Sequence, residues 1–126
     1  METLPFSAAR ADPAIEIVVE GDPPPRASYR VRASKLVPTQ WKVIAEGDNL
    51  SLPVWTRTLS PADVGESAWI VGRKYRLRVR ALLDADGTVM IRVLQEETEL
   101  YTRTGELTAA DGWTLETGML ILEVVA

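Results

Sequence analysis

The 126-residue chain contains neither cysteine nor histidine. Without cysteine it can form no disulfide and no thiolate metal site, and it has no thiol nucleophile. Without histidine it cannot build a Ser-His-Asp or Cys-His catalytic arrangement, and the usual zinc, copper and non-haem iron sites lose their imidazole ligands. We therefore predict that the protein is not an enzyme and that it carries no metal and no cofactor.

Long apolar runs, a secretory signal and an excess of positive charge are missing as well. The apolar runs are only a few residues long, against the roughly 20 that a membrane-spanning helix needs, so we expect no membrane segment. Glu2 stands where a signal peptide would carry positive charge, so we expect no signal peptide. The formal net charge of −4 argues against a dedicated nucleic-acid-binding protein.

Short stretches in which apolar and polar residues alternate are present from residue 15 onwards. AIEIVVE, SYRVRAS and YRLRVRALL are examples, and turn residues separate such stretches at near-regular intervals. This pattern predicts an all-β fold, an antiparallel, jelly-roll-like β-sandwich over residues 15–126. Residues 1–14 have two prolines and little periodicity, which predicts an extended N-terminal arm. The last stretch, MLILEVV, is apolar on both faces, as expected of an inner strand or one covered by a neighbouring chain.

The clearest local pattern is YRLRVRALL followed by DADG and then TVMIRVLQEE. Its turn has Gly87 near the end, which predicts a β-hairpin between the two flanking strands. Asp84 and Asp86 also have the opening spacing of a calcium-binding loop. Because the residues that follow lack the further oxygen ligands, a plain turn is the favoured interpretation.

Arginines occupy one side of this first strand. Arg76, Arg78 and Arg80 alternate with apolar residues, and Arg30 and Arg32 follow the same rule in SYRVRAS. We expect these arginines on an outward sheet face, charge-paired with carboxylates across the strands. The candidate carboxylates are those of Glu16, Glu20, Glu96 and Glu97. The alternatives are a surface that meets another protein chain, where arginine is enriched, and a groove for nucleic acid.

Four tryptophans are many for this length. Trp41 and Trp55 lie in predicted strands, and we expect them in the core. Trp69 and Trp113 adjoin loops and are candidates for stacking on a sugar ring. The carboxylates that could supply an acid-base pair for glycoside hydrolysis are Glu96, Glu97, Glu99, Glu106 and Asp111. A charged strand end without catalysis is the favoured interpretation of that group.

The segment YRLRVRALLDADGTVMIRVLQEETEL is similar to the long inner hairpins of jelly-roll sandwiches of the carbohydrate-binding-module and concanavalin-like kind. The whole chain, with its proline-broken start, small β-domain and apolar last strand, resembles accessory virion proteins of tailed phages. These are capsid decoration or cement proteins, head fibres and tail-tip adhesins. The resemblance implies a structural protein that binds other protein subunits as a homo-oligomer or in a lattice, and in some cases a host-surface glycan. It implies a virion location if the source is a phage; otherwise we expect a cytoplasmic protein.

Two other functions stay open at this point. One is a stand-alone carbohydrate-binding module that uses Trp69 and Trp113. The other is an oligonucleotide-binding type of barrel that holds single-stranded nucleic acid with Arg76, Arg78 and Arg80.

Overall fold

The computed structural model describes residues 2–50 and 53–126, and in this part of the chain it contains ten strands. The strands are β1 (Glu2–Ser7), β2 (Ala14–Glu20), β3 (Ala27–Lys35), β4 (Lys42–Leu50), β5 (Val54–Thr58), β6 (Lys74–Leu83), β7 (Gly87–Gln95), β8 (Thr98–Leu107), β9 (Thr114–Glu116) and β10 (Leu120–Val125). Short 3₁₀ helices, Pro61–Val64 and Ala109–Asp111, lie in two of the connections. None of the described helices is long and apolar enough to span a membrane.

The strands form two sheets of unequal width. The six-stranded sheet has the order β1-β10-β6-β3-β4, and β9 pairs with β6 as well. The four-stranded sheet has the order β5-β2-β7-β8. Neighbouring strands are antiparallel except for β1 and β10, which run parallel. The two sheets share one hydrophobic core, so the architecture is sandwich-like.

The core forms because residues two apart on a strand share one face of the sheet. The residues of β6 predicted to point inward are all buried, which confirms that part of the pattern. They are Tyr75, Leu77, Val79, Ala81 and Leu83. The four-stranded sheet contributes Ile15, Ile17, Val19, Val89, Ile91 and Val93 to the same core. The polar residues of each strand are thereby placed on the two outer faces of the molecule.

Residues 2–7, predicted to belong to an extended arm, form strand β1 of the six-stranded sheet. Leu4 and Phe6 are each 1% exposed and belong to the core. The separate arm is therefore not confirmed, and the alternation of Leu4 and Phe6 with polar neighbours is the strand signal. Pro5 is compatible with this position because β1 is an edge strand. β1 also covers β10, which confirms the last strand as an inner strand.

The predicted hairpin between β6 and β7 is wrong. β6 pairs with β3, β9 and β10, whereas β7 pairs with β2 and β8, so DADG carries the chain from one sheet to the other. A hairpin follows one strand later, where Gln95 pairs with Thr98 around a tight turn that has Glu96 at a φ of 55°. Alternation fixes the face that a residue occupies, but it does not fix which strand lies beside it. The resemblance to jelly-roll hairpins depended on the β6–β7 pairing, and the jelly-roll path is not confirmed.

Candidate functional site

Five arginines stand side by side on the outer face of the six-stranded sheet, which we term the arginine face. They come from the adjacent strands β3 and β6, and all are partly buried. The register gives three outward pairs: Arg30 with Arg80, Arg32 with Arg78, and Ser34 with Arg76. Like charges directly opposite each other in a sheet are destabilising. The arginine face therefore lowers the stability of the isolated chain unless something compensates its charge.

Carboxylates flank one end of the arginine face. Glu46 of β4 accepts a hydrogen bond from Arg30, with 2.9 Å between Oε2 and Nε. Glu116 of β9 stands opposite Arg80 in the register. Across β9, β6, β3 and β4 the charges at this end are therefore negative, positive, positive and negative. The two flanking carboxylates offset part of the repulsion between the arginines.

The middle of the arginine face has no such compensation. Val43 of β4 lies beside Arg32, and Ile121 of β10 lies beside Arg76, so apolar residues stand where carboxylates would be needed. The Arg78 guanidinium lies 5.4 Å from the ring centroid of Trp41. Within residues 2–50 and 53–126, Arg32, Arg76 and Arg78 form no ion pair.

Two of these guanidinium groups also have a buried donor without an acceptor. The Nε atoms of Arg76 and Arg78 are buried, and no hydrogen-bond acceptor lies within reach of them among the described residues. A buried N–H group left unpaired costs about 1–3 kcal/mol. The cation–π contact with Trp41 contributes about 0.5–1 kcal/mol at an exposed site and supplies no acceptor. These two buried donors therefore add to the cost of the opposed charges on the arginine face.

The carboxylates predicted as partners of the arginines lie on or next to the four-stranded sheet, so that prediction is wrong. Glu16 of β2 accepts from Arg92 of β7, with 2.9 Å between Oε1 and Nε, and this bond raises the pKa of Arg92. Glu99 lies 3.8 Å from the same guanidinium. Glu96 pairs with Arg10 at 2.9 Å, and Arg10 holds the pKa of the Glu96 carboxyl below its usual value.

A second group of paired charges lies near the start of β6. The Glu66 carboxylate is 2.9 Å from Lys35 Nζ and 3.4 Å from Arg73 Nη1, and its side chain is 6% exposed. The hydrogen bond with Lys35 is the main reason why the pKa of Glu66 lies below its usual value, and Arg73 adds to it. Burial raises the pKa of the neighbouring Tyr75, and the Glu66 carboxylate raises it further. These contacts attach the loop before β6 to the sheet.

Trp69, a candidate for sugar stacking, makes extensive contacts within the chain. Its indole N–H donates to Asp12 Oδ1 at 2.8 Å. Its ring meets Phe6 and Tyr75 edge-on, at centroid distances of 4.9 and 5.6 Å. The indole is therefore packed against the core next to the first residues of β6.

Trp113, the other sugar-stacking candidate, lies at the opposite end of β6. Its carbonyl oxygen accepts from Leu83 N at 2.8 Å, and its indole N–H donates to Asp86 Oδ1 at 2.8 Å. Asp84, the other aspartate of DADG, accepts from Arg26 N at 2.9 Å. Both aspartates thus hold neighbouring loops, and no group of three or more acidic side chains in the described residues could hold a metal ion. The structure does not bring Trp69 and Trp113 together.

A cleft of about 420 Å³ shares Trp41 with the arginine face. Its lining includes Ser34, whose hydroxyl accepts from Gln40 N at 2.7 Å and donates to the Lys35 carbonyl at 2.8 Å. It also includes Asp63, which accepts from Arg57 at 3.0 Å. Ser34 and Asp63 thus have partners within the chain, in contrast to the arginines in the middle of the arginine face.

Sequence patterns correctly predict that the arginines point outward, but not that the two arginine strands are neighbours. The repeated YRVR and YRLR segments were the available signal. Trp41, expected in the core, lies just before β4, where it is partly buried against Arg78. Comparison with known proteins finds no matching family model, no matching curated protein and no matching solved structure. The function of the arginine face is therefore argued from the contacts of this chain alone.

Proposed function

We propose that this chain is a non-enzymatic binding protein that forms an accessory subunit of a larger assembly. A phage virion is such an assembly, since the sequence resembles accessory virion proteins. The arginine face of the chain contacts an acidic partner protein. The observation that carries the proposal is the middle of that face, where Arg32, Arg76 and Arg78 have no counter-charge among the described residues. Departures from optimal stability of this kind are concentrated at functional surfaces.

The chemistry of the face fits a protein carboxylate. Guanidinium groups bind carboxylates through charge-assisted hydrogen bonds, and those of Arg32, Arg76 and Arg78 form no ion pair with the described residues. Val43 and Trp41 add apolar and aromatic surface next to the charges, a combination found in protein–protein interfaces. The net charge of −4 argues against nucleic acid as the partner, because a basic balance is expected of a nucleic-acid-binding protein. A virion location belongs to the same proposal and rests on the resemblance of the whole chain, whereas the jelly-roll path lacks the β6–β7 pairing on which its resemblance depended.

The test compares two variants of equal net charge. R32S/R78S removes the uncompensated pair from the arginine face, and R26S/R103S removes two exposed arginines that lie elsewhere. Binding of fluorescent poly-L-glutamate is measured by anisotropy at low and physiological salt. We expect R32S/R78S to lose about tenfold or more in affinity, since charge pairs at the centre of a contact matter most. R26S/R103S should stay within about twofold of the parent chain, because charges outside the contact contribute little.

Equal binding by R32S/R78S and the parent chain would overturn the proposal. A single-stranded oligonucleotide of the same total charge serves as a second probe. If it binds more tightly than poly-L-glutamate, with an affinity that falls steeply with salt and depends on Arg32 and Arg78, the partner is nucleic acid and the assignment to an acidic protein is wrong.

A further inference from the structure

The outer face of the four-stranded sheet has the opposite charge from the arginine face, and we term it the acidic face. Its outward carboxylates are Glu16, Glu20, Glu99 and Glu106. Arg92, which lies among them, is already paired with Glu16 and Glu99. Glu20 and Glu106 are both exposed and flank Thr88 in the register. In the part of the chain that the structure describes, neither of them forms an ion pair.

Both faces also carry apolar side chains between their charges. Val54, Val18 and Met90 stand side by side across β5, β2 and β7 on the acidic face. Val43 and Leu82, on the arginine face, are 47% and 41% exposed. Methionine and arginine are both enriched in surfaces that bind protein.

The two faces are also similar in size. Each spans four strands about 4.8 Å apart and about seven residues at roughly 3.3 Å each, which gives a patch of roughly 20 by 23 Å. An area of this size is at the low end of specific protein interfaces, where association is weak and reversible. A patch of this size can cover the arginine-bearing strands β3 and β6 and the strands next to them, and it leaves the outer strand β1 of the wider sheet uncovered.

We propose that a second copy of this chain is the acidic partner, with the arginine face of one copy packed on the acidic face of the next. This inference rests on the proposed function, since it names the partner of the same arginine face. Glu20 and Glu106 of one copy then supply carboxylates to the unpaired arginines of its neighbour. Because the two surfaces differ, the contact is heterologous, and repeated contacts build a ring or an open filament.

The test uses two variants, each blocked on one face. R32S/R78S keeps the acidic face, and E20K/E106K keeps the arginine face. Molar mass is measured by size exclusion with light scattering at increasing protein concentration and at low salt. We expect the parent chain to gain mass with concentration, each variant alone to be monomeric, and an equimolar mixture of the two variants to form a 1:1 dimer. High salt should dissociate that dimer.

Thermal unfolding of each variant is the control, because a monomer that has lost its fold would imitate a blocked face. Matched melting curves together with the 1:1 dimer support a head-to-tail contact. A parent chain that stays monomeric at every concentration overturns self-association, and so does an oligomer that neither variant affects. The proposed function survives either result if poly-L-glutamate binding still depends on Arg32 and Arg78. Loss of that dependence overturns the proposed function itself.

Discussion

Arg92 and Arg78 occupy similar outward positions near the middle of inner strands, one in each sheet. Arg92 lies between Glu16 and Glu99, and its hydrogen bond with Glu16 raises its pKa. Arg78 stands opposite Arg32, contacts the ring of Trp41 and has a buried Nε without an acceptor. The same residue type in the same strand pattern is thus satisfied within the chain on one face and left unsatisfied on the other.

This difference shows that strand order, more than strand pattern, decides the chemistry of a sheet surface. β7 lies next to β2, which carries a glutamate at the matching position, whereas β6 lies next to β3, which carries an arginine. A cross-strand pair is worth roughly 0.2–1 kcal/mol in either direction, so each arrangement is compatible with a stable fold. The unfavourable arrangement on the arginine face is therefore tolerated, and a partner can relieve it.

The largest expected effect on stability comes from a substitution in β1, the edge strand of the six-stranded sheet. Phe6 is 1% exposed and packs against Trp69, so Phe6→Ala should lower the free energy of unfolding by about 3–5 kcal/mol. Urea unfolding followed by tryptophan fluorescence measures it. Thr3→Ala, an exposed position on the same strand, is the control and should stay within about 0.5 kcal/mol. A Phe6→Ala change as mild as the control would mean that residues 2–7 are an arm after all.

The sequence predicts strand faces well because period-two alternation is a local property. The inward residues of β6 and the outward position of Arg76, Arg78 and Arg80 follow from it directly. Strand neighbours depend on contacts between distant parts of the chain, and no local pattern encodes them. The glycine in DADG therefore suggested a hairpin where the chain changes sheets, while the actual tight turn contains Glu96 and no glycine. The unpaired centre of the arginine face could not be predicted for the same reason.

An intermediate effect is expected in the pH dependence of stability, which should differ between a variant of a paired charge and a variant of the unpaired arginines. Lys35 holds the folded-state pKa of Glu66 below its ordinary value of 4.5. Glu66 therefore contributes stability that is present above its unfolded-state pKa and is lost as the pH falls through its lowered folded-state pKa. We expect melting temperatures to fall from about pH 5 downwards, and the fall to be shallower in Glu66→Gln.

An arginine-face variant is the matched control for this pH experiment. Arginine does not titrate in the acid range, so R32S/R78S should keep the pH profile of the parent chain. A flattened acid limb in R32S/R78S would show that the arginines are paired with carboxylates after all, which would remove the contrast between the two faces.

The smallest expected effect comes from an Arg→Met substitution made once on each face, which compares the two faces directly. Arg92→Met removes the partner of Glu16, whose side chain is only 17% exposed, and should lower the free energy of unfolding, because a partly buried carboxylate loses its counter-charge. Arg78→Met removes one of two opposed cations and a buried donor that has no acceptor. It should leave the free energy of unfolding unchanged or raise it by about 0.2–1 kcal/mol. Urea unfolding at low salt, where repulsion is least screened, measures both. A clear loss of stability in Arg78→Met would show that the arginine face is satisfied within the chain, and the reason for giving it a partner would disappear.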